Sequence, residues 1–173
     1  NTSLAKDIKE KDDVEIDKTS VSEYLDIFNR LFLIDNQAPF ATKIRSSVRI
    51  KQAEKRHFCD PSIACALLNA SPDKLLNDLE TLGFLFEALV ERDLRIYAES
   101  FGASLYHYQD YNNNEIDAVI EMSEGKWCAF EIKLGANQID TAAKNLLEIN
   151  QKIKDENGKH ASVLWVICGM SNA

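Results

Sequence analysis

The segment Glu115–Gly135, EIDAVIEMSEGKWCAFEIKLG, decides how this chain is read. Two largely apolar runs flank Ser123-Glu124-Gly125, a three-residue hairpin loop with glycine at the position that must turn left-handed. Counting back from that loop sets Met122 against Lys126, Val119 against Ala129 and Asp117 against Glu131. Side chains alternate along a strand. One face therefore carries Asp117, Val119, Glu121, Trp127, Ala129, Glu131 and Lys133. The other carries Ile116, Ala118, Ile120, Cys128, Phe130, Ile132 and Leu134. A four-residue loop would put Asp117 and Glu131 on opposite faces; the glycine favours the shorter loop.

Like charges set directly opposite one another in a sheet repel. Asp117 and Glu131 need a cation, which Lys133 or a divalent metal can supply. Two carboxylates with a backbone carbonyl between them suit Mg²⁺, a hard ion that takes oxygen ligands. Lys133 would then orient or activate a water, or steady charge in a transition state. The competing reading is an exposed ion pair on an amphipathic sheet, common and worth little. Glu87 weighs against it. In GFLFEALVERDL it is the sole charge between Gly83 and Val90, on a helix that reads as buried all round. A carboxylate there needs a partner or a metal.

Upstream, residues 3–10 read as a short helix. Ser20-Val21-Ser22-Glu23 forms a capping box with Ser20 as N-cap. The helix after it aligns Val21, Tyr24, Leu25, Phe28, Leu31 and Phe32 on one stripe. Leu31–Pro39 and KRHFCD within Arg49–Asp60 read as extended. Two helices and a two-stranded wing are the order of a winged helix, assigned to residues 1–60. The densest basic cluster lies between and on the wing strands: Lys43, Arg45, Arg49, Lys51, Lys55 and Arg56. It is a candidate phosphate-contacting surface, with Lys43, Arg45, Arg49 and Lys51 as the nucleic-acid-binding set, or a solvated loop. Ser71-Pro72-Asp73 starts a helix at Pro72, and another follows over 82–99. Strands over 105–110, 115–122 and 126–134, a helix over 138–155 and a strand over 162–168 complete residues 61–173.

The 173 residues, 45% hydrophobic, suffice for a sizeable core. The net charge of −8 argues against non-specific nucleic-acid binding, which needs clustered Lys and Arg. No apolar run approaches the roughly 20 residues that span a bilayer, and the polar start NTSLAKDIKEKDD lacks a signal-peptide pattern. Beginning at Asn1, the chain reads as a piece of a longer protein. Cys59, Cys65, Cys128 and Cys168 lack CxxC spacing and read as free thiols in a reducing cytoplasm. Scattered His57, His107 and His160 suggest no zinc site.

Glu87 on a helix, Asp117 on a strand and Glu131-Ile132-Lys133 on the next resemble the PD-(D/E)-x-K nuclease superfamily. The winged-helix order, FCDPSIACALL, GFLFEALVERDL, EIDAVIE and FEIKLG together resemble the C-terminal region of prokaryotic (archaeal and bacterial) AAA+ ATPases. There a winged helix and a nuclease-like domain follow the ATPase module. The resemblance implies an α/β (α+β) fold with a restriction-endonuclease-like mixed sheet flanked by helices. It implies Glu87, Asp117 and Glu131 as metal-binding acids, with Lys133, Asp117 and Glu131 as the catalytic set. Mg²⁺ or Mn²⁺ would be the cofactor and a DNA phosphodiester, attacked by metal-activated water, the substrate. An ATPase module of the same longer chain would be a partner, and no membrane is involved. Ile116 stands where the superfamily name has proline, and the fourth residue after Gln138 is Ala142 rather than the tyrosine of the RecB-like branch. No Walker A pattern occurs in these residues. The alternative is a non-cleaving DNA- or protein-binding regulatory module attached to an ATPase. A transcriptional regulator fits least, because Ser20, Ser22, Glu23, Asp26 and Asn29 make an acidic helix face for a groove reader.

Overall fold

A computed structural model describes residues 2–41, 52–156 and 158–170. The chain opens with α1 (Thr2–Asp12) and α2 (Lys18–Arg30). Asp17, not Ser20, caps α2: its carboxylate accepts from the N–H groups of Thr19 and Ser20. Ser20 sits in the first turn and donates its hydroxyl to Asp17, so the capping box predicted three residues later is not formed. Of the predicted apolar stripe only Val21 is fully buried, and Tyr24, Phe28, Leu31 and Phe32 are exposed. The stripe exists as a pattern, but described elements cover only its Val21 and Leu25 part.

Strands β1 (Ile34–Gln37) and β2 (Lys55–Phe58) form an antiparallel two-stranded sheet, Ile34 opposite Phe58 and Gln37 opposite Lys55. Lys43, Arg45, Arg49 and Lys51 lie outside the described residues. Two short helices follow, α3 (Pro61–Leu67) and α4 (Pro72–Leu76). Asp60 caps the first, and proline opens both, where its missing N–H costs nothing. The long α5 (Leu79–Ser100) is capped by Asp78.

The main sheet runs in the order β3-β4-β5-β6, with β3 (Ser104–Gln109), β4 (Glu115–Glu121), β5 (Trp127–Gly135) and β6 (Val163–Met170). The first two pairings are antiparallel and β5/β6 is parallel. Parallel strands need a crossover, here supplied by a 3₁₀ turn (Ala136–Gln138) and α6 (Ile139–Asp155). Mixed sheet and flanking helices make the fold α+β. Ala142, Leu146, Ile149 and Ile153, at helical spacing, pack α6 on the sheet face formed by Ile116, Val119, Trp127 and Ala129. Ala98 of α5 packs with Leu105, Ala118, Ile120 and Phe130.

The hairpin turns as its sequence predicts. Gly125 has φ +71°, Met122 N–H donates to Lys126 C=O at 2.8 Å, and Val119 opposes Ala129. The predicted faces need one correction. Between Tyr106 and Tyr108, β3 advances two residues while its partner advances three, from Val119 to Ile116. Asp117 and Ala118 thus stand together opposite His107, as a β-bulge. The extra residue turns Ile116 to the Val119 side, away from Ala118 and Ile120.

Residues 38–40 tie the first sheet to the second. Phe40 N–H donates to His107 C=O at 2.6 Å, and His107 N–H donates to Ala38 C=O at 3.1 Å. The Phe40 ring is 1% exposed, with its centroid 5.0 Å from that of Trp127. Beside it, burial followed by the Lys55 charge lowers the His107 imidazole from 6.5 to about 4. A base held neutral contributes stability present above its unfolded value and lost as pH falls through the folded one. Wild type should therefore lose up to roughly 3 kcal/mol between pH 6.5 and 4 through this group. Urea unfolding across that range should show His107→Gln losing less.

Candidate functional site

Asp117, in the bulge, faces two lysines. Its Oδ2 accepts from Lys133 Nζ at 3.0 Å and from Ile132 N–H at 2.8 Å, while Lys55 Nζ lies 3.7 Å from Oδ1. The β4/β5 ladder runs from Glu121↔Trp127 to Ala118↔Phe130. One step further, the Asp117 carboxylate takes the Ile132 amide. Lys133 also donates to Glu131 Oε2 at 2.6 Å, and Asn145 of α6 donates to Glu131 Oε1 at 2.9 Å. Asp117, Glu131 and Lys133 are therefore one cluster, two buried acids about a half-buried lysine. Together with Gln138, Thr141 and Asn145 they line an open cleft of about 630 Å³ beside α6.

The charges are unevenly compensated. Burial alone would raise the Asp117 carboxyl, but Lys133 and Lys55 hold it below its usual range. Burial and the neighbouring Asp117 carry Glu131 the other way, from 4.5 to about 7, with Lys133 offsetting only part. Lys133 is buried enough to favour the neutral amine, yet the two carboxylates raise it above its ordinary value. Asp117 is the settled anion, Lys133 the settled cation, and Glu131 the group able to exchange a proton near neutrality.

Glu87 is expected to need a partner or a metal, and its partner is Lys55. Its Oε1 lies 2.5 Å from Lys55 Nζ, and Glu87 is not among the residues lining the cleft. Nor is α5 buried all round, since Phe84 is 66% exposed and Leu89 is exposed too. The fully buried acid of this helix is Glu91, one turn on and 3% exposed. Lys55 reaches Glu91 Oε1 at 3.4 Å, and His57 Nε2 meets Glu91 Oε2. Burial raises the Glu91 carboxyl, and His57 and Lys55 offset only part of that. Donor atoms of His57, Glu87 and Glu91 all lie within 4.8 Å of one another.

Four residues of this arrangement escape the sequence reading. Glu91 follows Glu87 at i+4 and so shares its helix face, a signal available in the spacing. Lys55 and His57 alternate on one face of β2, yet Lys55 reads from sequence as part of the basic wing. The structure turns it inward instead, onto the acids. Asn145 gave no signal, because only the crossover brings α6 over Glu131.

Fold and site together define an α+β domain whose mixed sheet carries an acid–lysine cluster at the floor of a cleft. Residues 82–172, more than half of the chain, match the family described as Domain of unknown function (DUF4143), and the chain belongs to that family. Residues 2–74 match a second family, Domain of unknown function (DUF8612). No curated protein and no solved structure matches the chain. Among the described residues no helix is long and apolar enough to cross a membrane.

Proposed function

We propose that this chain carries a metal-dependent, nuclease-like domain acting on DNA phosphodiesters, in the setting of an AAA-type ATPase. DUF4143 membership is compatible with that setting. The observation that carries the reading is Lys133 held at 3.0 Å from Asp117 and 2.6 Å from Glu131 at the floor of an open cleft. The donor set fits Mg²⁺ or Mn²⁺: carboxylate oxygens predominate, and Glu131, raised to about 7, is short of positive charge. Asp117 and Glu131 would hold the ion, with Glu87 contributing once freed from Lys55. Such an ion, when bound, stabilises phosphoryl negative charge and lowers the pKa of water.

The chain's own residues divide the remaining work. Lys133, kept protonated by its two carboxylates, presents a fixed positive charge where a phosphate oxygen becomes more negative. Glu131 can accept a proton near neutral pH. Asn145 holds Glu131 Oε1 and so orients the carboxylate. Plasmid or branched DNA incubated with Mg²⁺ or Mn²⁺ should be cleaved, and Asp117→Asn or Glu131→Gln should slow cleavage by roughly 10²–10⁴-fold. Cleavage that survives both substitutions sinks the mechanism.

A second reading, a non-cleaving DNA- or protein-binding regulatory module attached to an ATPase, draws on Lys55. Its single ammonium already lies within 3.7 Å of carboxylate oxygens of Glu87, Glu91 and Asp117 without any ion. DNA retained in a mobility-shift assay and left intact by wild type under all metal conditions would select it.

A further inference from the structure

We propose that Lys55 is a tethered cation that keeps a divalent ion out of the Glu87–Glu91–Asp117 side of the site and must swing away before one binds there. The inference rests on the metal-centred reading above. It starts from a separate observation, the place of one side chain from the two-stranded sheet.

Lys55 Nζ lies 2.5 Å from Glu87 Oε1, 3.4 Å from Glu91 Oε1 and 3.7 Å from Asp117 Oδ1. Mg²⁺ and Ca²⁺ bind oxygen at about 2.0–2.6 Å. The ammonium therefore stands at a metal's own distance from Glu87 and blocks approach to that oxygen. It also repels a dication from the neighbouring two carboxylates. Lysine suits a removable stopper: a compact charge on a flexible four-carbon stem, able to leave by bond rotation without moving backbone. The side chain is 28% exposed, so a path to solvent exists. Its strand belongs to a two-stranded sheet, an element only marginally stable by itself. That strand is held on α5 by His57–Glu91, and its partner strand by Arg95 Nε–Asp35 at 2.5 Å. These contacts keep the sheet docked while Lys55 alone moves. The residues matched to the second family thus supply the stopper for a site carried by the first.

Isothermal titration of the 173-residue chain with Mn²⁺ tests this directly. Lys55→Met, close in length and uncharged, should bind Mn²⁺ at least tenfold more tightly than wild type. Lys55→Arg should not, and adding Glu87→Gln to Lys55→Met should abolish the gain. Equal binding by wild type and Lys55→Met overturns the role of Lys55 and leaves the metal-centred reading standing. No binding by either overturns both. A gain that persists with Glu87→Gln also overturns the assignment, since the ion then sits elsewhere. A measurement on wild type alone avoids dependence on variant folding: amine acylation of Lys55, read by peptide mass spectrometry with and without Mn²⁺. Displacement should raise Lys55 labelling severalfold while Lys144, its side chain 77% exposed, stays constant. Flat Lys55 labelling at a Mn²⁺ concentration that titration shows to be saturating overturns the proposal.

Discussion

Replacing Lys133 by methionine is expected to cost about 3–5 kcal/mol of folding stability at pH 8 and markedly less at pH 5. Among the described residues Lys133 is the one cation donating to both Asp117 Oδ2 and Glu131 Oε2, and these carboxylates are 8% and 3% exposed. Without it, two buried acids face each other with only Asn145 and the more distant Lys55 to soften the repulsion. The pH term follows from Glu131. Its carboxyl is raised from 4.5 to about 7. A group raised on folding contributes stability fully present below its unfolded value and lost as pH rises through its folded value. Removing Lys133 leaves burial and Asp117 unopposed, which extends that loss to higher pH. At pH 5 the carboxyl holds a proton and can hydrogen-bond Asp117, so most of the damage disappears. Urea unfolding of both proteins at the two pH values measures this. An equal cost at pH 5 and pH 8 would contradict the assignment of Glu131 as the group that yields.

Phe40→Ala is expected to destabilise the protein by about 3–5 kcal/mol, the usual cost of emptying a buried aromatic site. Phe40 is 1% exposed and lies against Tyr106 and Trp127, its centroid 6.2 Å and 5.0 Å from theirs. The cavity would open against Trp127, also 1% exposed, whose indole N–H donates to Lys159 C=O at 3.0 Å. Trp127 fluorescence, isolated in a Trp165→Phe background, therefore reports the event during urea unfolding. The expected result is an earlier transition of the main sheet, although Phe40 precedes that sheet by more than sixty residues. An unchanged Trp127 transition would mean that the upstream segment contributes nothing to the sheet core.

Local signals made much of this legible in advance. Gly125 announced its turn because few other residues accept φ +71° at low cost. Pro72 after Ser71 announced a helix start, and the strand and helix order of residues 104–170 followed from hydrophobic period. Asp60-Pro61 carried the same helix-start signal and went unread, although α3 begins there. Ser20 and Asp17 were both competent caps. The choice fell to Asp17, whose carboxylate satisfies two N–H groups.

Turn chemistry and strand period act over a few residues, and they set the α+β order of elements, the hairpin register, and the shared face of Asp117, Glu131 and Lys133. Long-range packing brings Lys55 onto Glu87, Glu91 and Asp117. The bulge opposite His107 leaves no mark in β4, since it depends on how β3 pairs with it. Lys55 and Glu87 are 32 residues apart, and Lys55 and Asp117 further still. Their meeting arises because β2 docks on α5, and a charge seeks the nearest unneutralised partner in space rather than in sequence.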